Sequence, residues 1–253
     1  MDMTDRKVQL FFEIHSGLPR QGPGSAASTA KAFSLLKQLP PKPAILDVGC
    51  GPGMQTMDLA RLGQGNITAI DNYQPFLDDL ESRARDAGVA DRVRTVNGDM
   101  NELAYPDESF DLIWAEGSIY QMGFENGLRS WQRLLKPGGY IAVTEVSWLK
   151  PNPPRECADF WNENYPQIQE INDNLYVISK CGYQIIDQFV LPPSDWWDDY
   201  YTQIERKLPE FERKYVDDED ARAVIGMELE EMSIHRKYAD YYGYVFYVMR
   251  KPG

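Results

Sequence analysis

The stretch ILDVGCGPGMQT (45–56) places glycines at 49, 51 and 53 between an apolar run and a helical one. Glycine allows a sharp turn and brings bare backbone against a ligand where a Cβ would clash. A helix beginning just beyond it presents unpaired N–H groups and a partial positive charge, suited to a carboxylate or phosphate. The spacing narrows the ligand. A dinucleotide site wants G-x-G-x-x-G, but the third position is Met54 counted from Gly49 and Thr56 counted from Gly51. That fingerprint fails in both frames, and Asp47 would be badly placed beside a pyrophosphate. Further along, single acids stand where short apolar runs end: Asp71 in NITAIDN, Asp99 in NGDM and Glu116 in WAEGS.

These groups need elements to hold them. Apolar runs at 44–49, 66–71, 92–97, 110–115 and 140–146 alternate with amphipathic stretches such as 75–88 and 125–139, the latter ending in Pro-Gly-Gly. Short apolar strands separated by helices predict a doubly wound α/β fold with a mostly parallel sheet covered on both faces. After residue 147 a Pro-rich connection, WLKPNPPRE, leads to further helices and the strands YQIIDQFVL and YYGYVFYVMRK. The long helical stretch between those strands exceeds ordinary connections and predicts a cap over 192–240. The expected organisation is a single domain, 1–253, with N-terminal helices and a lid segment in 1–40 and a cofactor-binding core in 41–150.

Asp47-Val48-Gly49-Cys50-Gly51-Pro52-Gly53 closely resembles the first motif of class I S-adenosylmethionine-dependent methyltransferases, small-molecule branch. Asp71, Asp99-Met100 and LLKPGGYIAV (134–143) follow in the order of that family. The resemblance covers about residues 40–150 and the final strands. It implies a Rossmann-like sheet of seven strands with the last antiparallel, S-adenosyl-L-methionine as cofactor, and methyl transfer by in-line displacement to a small molecule. It places Asp47, Gly49, Gly51 and Gly53 against the methionine portion, Asp71 and Asn72 at the ribose, Asp99 at the adenine amino group and Met100 beside the ring. The family's nucleic-acid and protein-glutamine enzymes carry Asn/Asp-Pro-Pro-Tyr/Phe after the fourth strand. This chain has Ala115-Glu116-Gly117-Ser118 there. The alternatives are a protein or RNA acceptor, or a cofactor-binding protein without catalysis.

In that family the acceptor approaches near WAEGSIYQMG (114–123). Glu116 is the candidate to bind the cofactor's amino group, orient a substrate amine or act as a base; its plain alternative is a turn cap. Tyr120 and Trp148 are candidates to line the acceptor site. The segment EIHSGLPRQGPGSAAS (13–28) is similar to segments of the small-molecule branch. It offers Arg20 or Gln21 to a methionine carboxylate and His15 as a base, or else a loop leading into a helix capped near Ser25 or Ser28. In PPSDWWDDYYTQIERKLPEFERKY, Trp196 with Tyr200 and Trp197 with Tyr201 fall at i, i+4 spacing among acids. They read as the core face of an amphipathic helix or as a pocket for cationic acceptors. Asp217-Asp218-Glu219-Asp220 reads as a helix start rather than a metal site.

Charge bounds the partners. The 253 residues carry 26 basic and 39 acidic groups, a net charge of −13. No basic run exceeds two residues, which argues against nucleic acid and anionic membranes. The excess gathers in residues 151–253, with 11 basic and 20 acidic residues and 18 of the 31 aromatics, and it leans toward a small amine or other cation. Three well-separated cysteines and two histidines suggest neither a disulfide framework nor a metal site. The expected setting is cytoplasmic, as a monomer or homodimer.

Overall fold

The computed structural model describes residues 4–253; the first three residues of the expected N-terminal segment lie outside it. Its centre is the parallel pair β1 (Ala44–Val48) and β4 (Phe110–Ala115), registered Ile45↔Leu112 to Asp47↔Trp114. Both strands are almost wholly buried, as central strands covered on two faces must be. β2 (Asn66–Asp71) and β3 (Val93–Asn97) extend the sheet on one side. β5 (Leu135–Trp148), β8 (Tyr242–Arg250) and β7 (Gln184–Val190) complete the order β3-β2-β1-β4-β5-β8-β7, with β8 antiparallel to both neighbours. A two-residue strand, β6 (Gln169–Glu170), pairs with the end of β5 and makes the eighth.

One boundary differs from the sequence reading. The helix expected to run to the Pro-Gly-Gly stop is α5 (Phe124–Gln132), and β5 already begins at Leu135. Leu135 pairs with Phe110, and the register then shifts so that Leu112 faces Tyr140. The residues between, including Gly138 at φ 75°, form an irregularity inside the strand, which tertiary pairing stabilises over the local stop signal.

Helices cover both faces. α2 (Ala26–Ser34) and α3 (Met54–Leu62) pack Ala32, Leu59 and Ala60 against Ile45, Leu112, Trp114 and Phe246. α5 and α7 (Ile171–Lys180) bury Leu128, Trp131 and Ile178 against Ile113, Ile141 and Tyr247 on the opposite face. α4 (Gln74–Asp86) covers the outer strands with Leu77 and Leu80, and α6 (Arg155–Asn164) joins β5 to β6.

Between β7 and β8 lie a short helix α8 (Pro193–Trp196), a wide π turn (Trp197–Tyr201), α9 (Thr202–Lys214) and α10 (Glu219–Tyr238). Their inner faces meet α1 (Arg6–His15) in one cluster containing Leu10, Ile14, Ile204, Leu208, Val224 and Met232. Asp218 caps α10 by accepting from the Ala221 N–H at 3.0 Å and pairs with Arg6 of α1 at 2.9 Å. Among the described residues no helix is long and apolar enough to cross a membrane.

Candidate active site

A cavity of about 220 Å³ opens at the C-terminal ends of β1, β2 and β4, where open α/β sheets hold their ligands. Its floor is the β1–α3 turn. Gly49 has φ 71°, and a Cβ there would stand 2.4 Å from the Ser118 Cβ. Ser118 Oγ donates to the Val48 carbonyl at 2.6 Å, so the loops after β1 and β4 close on each other. Gly53 has φ 85°, and its Cβ would meet Leu80 Cδ1 at 2.3 Å. Gly49 and Gly51 line the cavity; Gly53 does not and serves the packing of α4.

Asp47 is fully buried beneath the turn. Thr56 Oγ1 donates to one carboxyl oxygen at 2.5 Å, and the other has no partner. Burial pushes its pKa up to about 7. The side chain ties β1 to the first turn of α3 and does not reach the cavity. The contact it makes here is with the scaffold, beneath the turn expected to meet the methionine portion.

Asp71 reaches the cavity, with Asn72 beside it. One oxygen accepts from the Gly51 N–H at 2.9 Å and the other from the Tyr73 N–H at 3.0 Å. Burial raises its pKa, while these backbone bonds oppose the rise. Each oxygen keeps lone-pair capacity directed elsewhere. Met100 also lines the cavity, but Asp99 does not. Asp99 is exposed and accepts from the Asn101 N–H and Nδ2 at 2.8 and 2.7 Å, which lowers its pKa.

The N-terminal segment forms the facing wall. Phe11 and Phe12 of α1 line it, the Phe12 ring stacked on Tyr73 with centroids 4.1 Å apart. Arg20 is 4% exposed and donates to Glu116 Oε2 at 2.9 Å and to Asp58 Oδ2 at 3.0 Å. The other Glu116 oxygen accepts from Thr29 Oγ1 at 2.7 Å and Trp114 Nε1 at 2.9 Å. Three donors thus converge on Glu116. This carboxylate clasps the 20–29 segment over the sheet end and itself lines the cavity. Arg20 itself lines the cavity, with its Nε unpartnered.

His15 is likewise reassigned. It is fully buried, and Nε2 lies 2.9 Å from Glu228 Oε1. Gln21 Nε2 donates to the His15 carbonyl at 2.9 Å, which turns Gln21 Oε1 toward His15 Nδ1 at 3.1 Å. Both ring nitrogens are therefore engaged by side-chain oxygens from α10 and the 16–25 segment. The ring joins α1 to α10 and orients Gln21, which lines the cavity against Gly51.

Tyr120 lines the cavity, whereas Trp148, Trp196, Trp197 and Tyr200 do not. Trp196 is 2% exposed and stacks on His235 at 4.3 Å. Trp197 packs on Tyr201 at 5.1 Å, with the Arg236 guanidinium 4.5 Å over its ring. The wide turn at 197–201 also brings Trp196 within 5.7 Å of Tyr201, five residues on. These tryptophans form the cap's core, correcting their assignment to the acceptor site. Thr29, Asp58 and Phe12 were not singled out from sequence. The first two are ordinary helix residues until the fold brings them to Arg20 and Glu116, and Phe12 belongs to an amphipathic pattern that signals packing alone.

A family model described as a methyltransferase domain matches residues 45–139. A 27-O-demethylrifamycin SV methyltransferase of Amycolatopsis mediterranei is 36% identical over 116 residues, 46% of this chain and 42% of that protein. The chain thus spans less than half the length of the curated relatives it matches. Among solved structures, the [4+2]-cyclase SpnF is 26% identical with a TM-score of 0.73, covering 96% of this chain and 92% of that one. An S-adenosylmethionine-dependent methyltransferase from Geobacter sulfurreducens, in complex with S-adenosyl-L-homocysteine, has a TM-score of 0.80 at 24% identity, covering 95% of this chain and 97% of that one. The ordered glycine turn and acids, the sheet with its antiparallel β8 and the matching model agree: residues 45–139 form a methyltransferase domain within a Rossmann-like fold.

Proposed function

We propose that this chain transfers a methyl group from S-adenosylmethionine to a small-molecule acceptor. The observation that carries the reading is the Asp71 carboxylate at the cavity's edge. Its two oxygens are fixed by the Gly51 and Tyr73 N–H groups at 2.9 and 3.0 Å, and each retains capacity for one hydroxyl of a vicinal diol. The glycine turn beneath it leaves room for the chain that joins a ribose to a methionine group. The Arg20 guanidinium faces the same cavity, a charge suited to a carboxylate. Phe11, Phe12 and Met100 supply the apolar surface an adenine ring needs.

When bound, the cofactor supplies an electrophilic methyl and a good leaving group. The protein's own tasks are then to align the acceptor and exclude water. Tyr120 and Gly117 border the cavity on the side toward the cap, where the acceptor is placed. The acidic and aromatic character of residues 151–253 favours a cationic acceptor, and the net charge of −13 disfavours RNA.

Calorimetry with S-adenosylhomocysteine and with NAD tests the cofactor. Micromolar binding of S-adenosylhomocysteine is expected, and binding of NAD alone overturns the assignment. Turnover of S-adenosylmethionine with amines, phenols and carboxylic acids tests the transfer. The similarity to a cyclase of the same fold favours one second reading, a cofactor-binding protein whose chemistry is not methylation. Tight cofactor binding with no methyl transfer across the panel would select that reading.

A further inference from the structure

Beyond Gly117 and Tyr120, toward the cap, lies a group of side chains that the cofactor cavity does not account for. Glu145 projects from β5 and is 2% exposed. Tyr165 donates its hydroxyl to one Glu145 oxygen at 2.5 Å, and the other oxygen is buried without a partner. Glu231 comes from α10 on the opposite side and accepts from the Tyr201 hydroxyl at 2.7 Å. Among the described residues neither carboxylate forms an ion pair: the only side chains bonded to them are these two tyrosines. The nearby imidazole of His15 is already held by Glu228 at 2.9 Å.

Aromatic rings cluster around both groups: Tyr200 lies 5.0 Å from Tyr201, and Trp196 lies 5.7 Å from Tyr201 and 5.3 Å from Tyr244. Tyr120 and Tyr165 meet edge to face at 5.9 Å. Both Glu145 and Glu231 act on the Tyr120 and Tyr244 phenols, raising their pKa behind a larger effect of burial. Tyr200 feels Glu231, Tyr244 and Tyr120 in the same way. The Tyr244 hydroxyl lies 4.0 Å from where a Cβ on Gly117 would stand, so the group adjoins the cofactor cavity directly. Glu231 and Tyr244 are half-buried rather than sealed in the core.

Buried carboxylates are ordinarily paired with cations, because desolvating a lone charge is costly. Two carboxyl groups without a cation, set among tyrosine rings, instead suit an organic cation. We propose that this chamber binds the acceptor as a small amine, with Glu145 and Glu231 receiving its ammonium and the rings of Tyr120, Tyr165, Tyr200 and Tyr244 enclosing it. This rests on the methyl-transfer reading and names the substrate class of that site. Burial pushes Glu145 up to about 8 and Glu231 up to about 7, so both carry protons near neutrality when no cation is present. An ammonium entering from solvent makes the carboxylate form favourable and displaces a proton.

The test is calorimetry on the full chain loaded with S-adenosylhomocysteine, so that failure of cofactor binding is seen first and separately. The probes are ethanolamine, benzylamine and tyramine against ethylene glycol, benzyl alcohol and tyrosol. At least one amine is expected to bind tenfold or more tighter than its alcohol. At pH 6.5 it should release protons, measured as a dependence of the binding heat on buffer ionisation enthalpy. Glu145→Gln and Tyr165→Phe should each weaken that amine at least fivefold and leave S-adenosylhomocysteine affinity within twofold. Tyr165→Phe keeps the test decisive should Glu145→Gln fold poorly. If no amine binds better than its alcohol, or both variants leave amine affinity unchanged, the proposal is overturned.

Discussion

Replacing Asp71 by alanine isolates the contact on which cofactor recognition is proposed to turn. In the structure its two oxygens already accept backbone N–H bonds from Gly51 at 2.9 Å and Tyr73 at 3.0 Å. The carboxylate is therefore oriented before any ligand arrives, and little ordering cost remains on binding. A hydrogen bond to a charged group is worth about 1.5–3 kcal/mol net. Two hydroxyls sharing one half-buried carboxylate do not double that figure, so the expected loss is about 3 kcal/mol, roughly 150-fold in affinity. Calorimetry with S-adenosylhomocysteine measures it, and a thermal melt separates it from loosening of the glycine turn and of the loop after β2, where the Gly51 and Tyr73 N–H groups lose their acceptor. A cycle with 2′-deoxy-S-adenosylhomocysteine makes the assignment specific. Wild type should lose affinity for the deoxy ligand, and Asp71→Ala should scarcely distinguish the two ligands. Independent, additive losses, or an Asp71→Ala affinity within twofold of wild type, would refute the ribose contact.

The other expectations concern the scaffold. Glu116→Gln places an amide N–H₂ among the donors of Arg20, Thr29 and Trp114 and leaves Arg20 short of a counter-charge, which should cost about 3 kcal/mol in a denaturant melt; a large fall in kcat with unchanged stability would instead assign Glu116 to the chemistry. Gly53→Ala sets a Cβ 2.3 Å from Leu80 Cδ1 and should destabilise by about 2 kcal/mol, with Leu80→Ala relieving part of that loss in the double variant. A loss at Gly53 that Leu80→Ala does not reduce would show that the clash is not the cause. Asp47, Glu231 and Glu145 have folded pKa values near 7, 7 and 8, raised by burial above ordinary carboxylic acids. The folded protein thus binds more protons than the unfolded chain from about pH 4 upward, and stability should fall as pH rises through that window to about 8. Glu145→Gln should flatten the decline, and a melting temperature that rises from pH 5 to 8 would contradict the assignment.

Features set by local chain geometry were legible in the sequence. The glycine turn, the strand–helix alternation and the acid closing β2 are short-range patterns, and each stands at the expected place in the fold. Roles that depend on which residue comes opposite were not legible. Gly49 and Gly53 look alike in the sequence, but one abuts Ser118 and the other Leu80. His15 and Glu116 have the chemistry of a base, yet their partners come from distant positions, Glu228 and Arg20. Only tertiary contact shows which groups they hold.

The C-terminal acidity shows the same division most sharply. Composition counts Glu231 with Glu205, Glu219 and the other acids of a helical cap, although Glu205 pairs with Arg236 at the surface and Glu231 faces inward to the Tyr201 hydroxyl. Helix α10 turns Glu228 toward His15 and Glu231 toward the tyrosines, three residues apart and therefore on one face. Glu145, the partner that completes the chamber, lies in the core half of the chain, inside an apolar strand whose pattern signals only burial. A carboxyl group buried there must stay protonated near neutrality and leaves one oxygen unbonded, which is costly to stability. That cost is intelligible if the missing charge belongs to the ligand, and it is why the chamber, rather than the surface excess of acid, carries the argument for an amine.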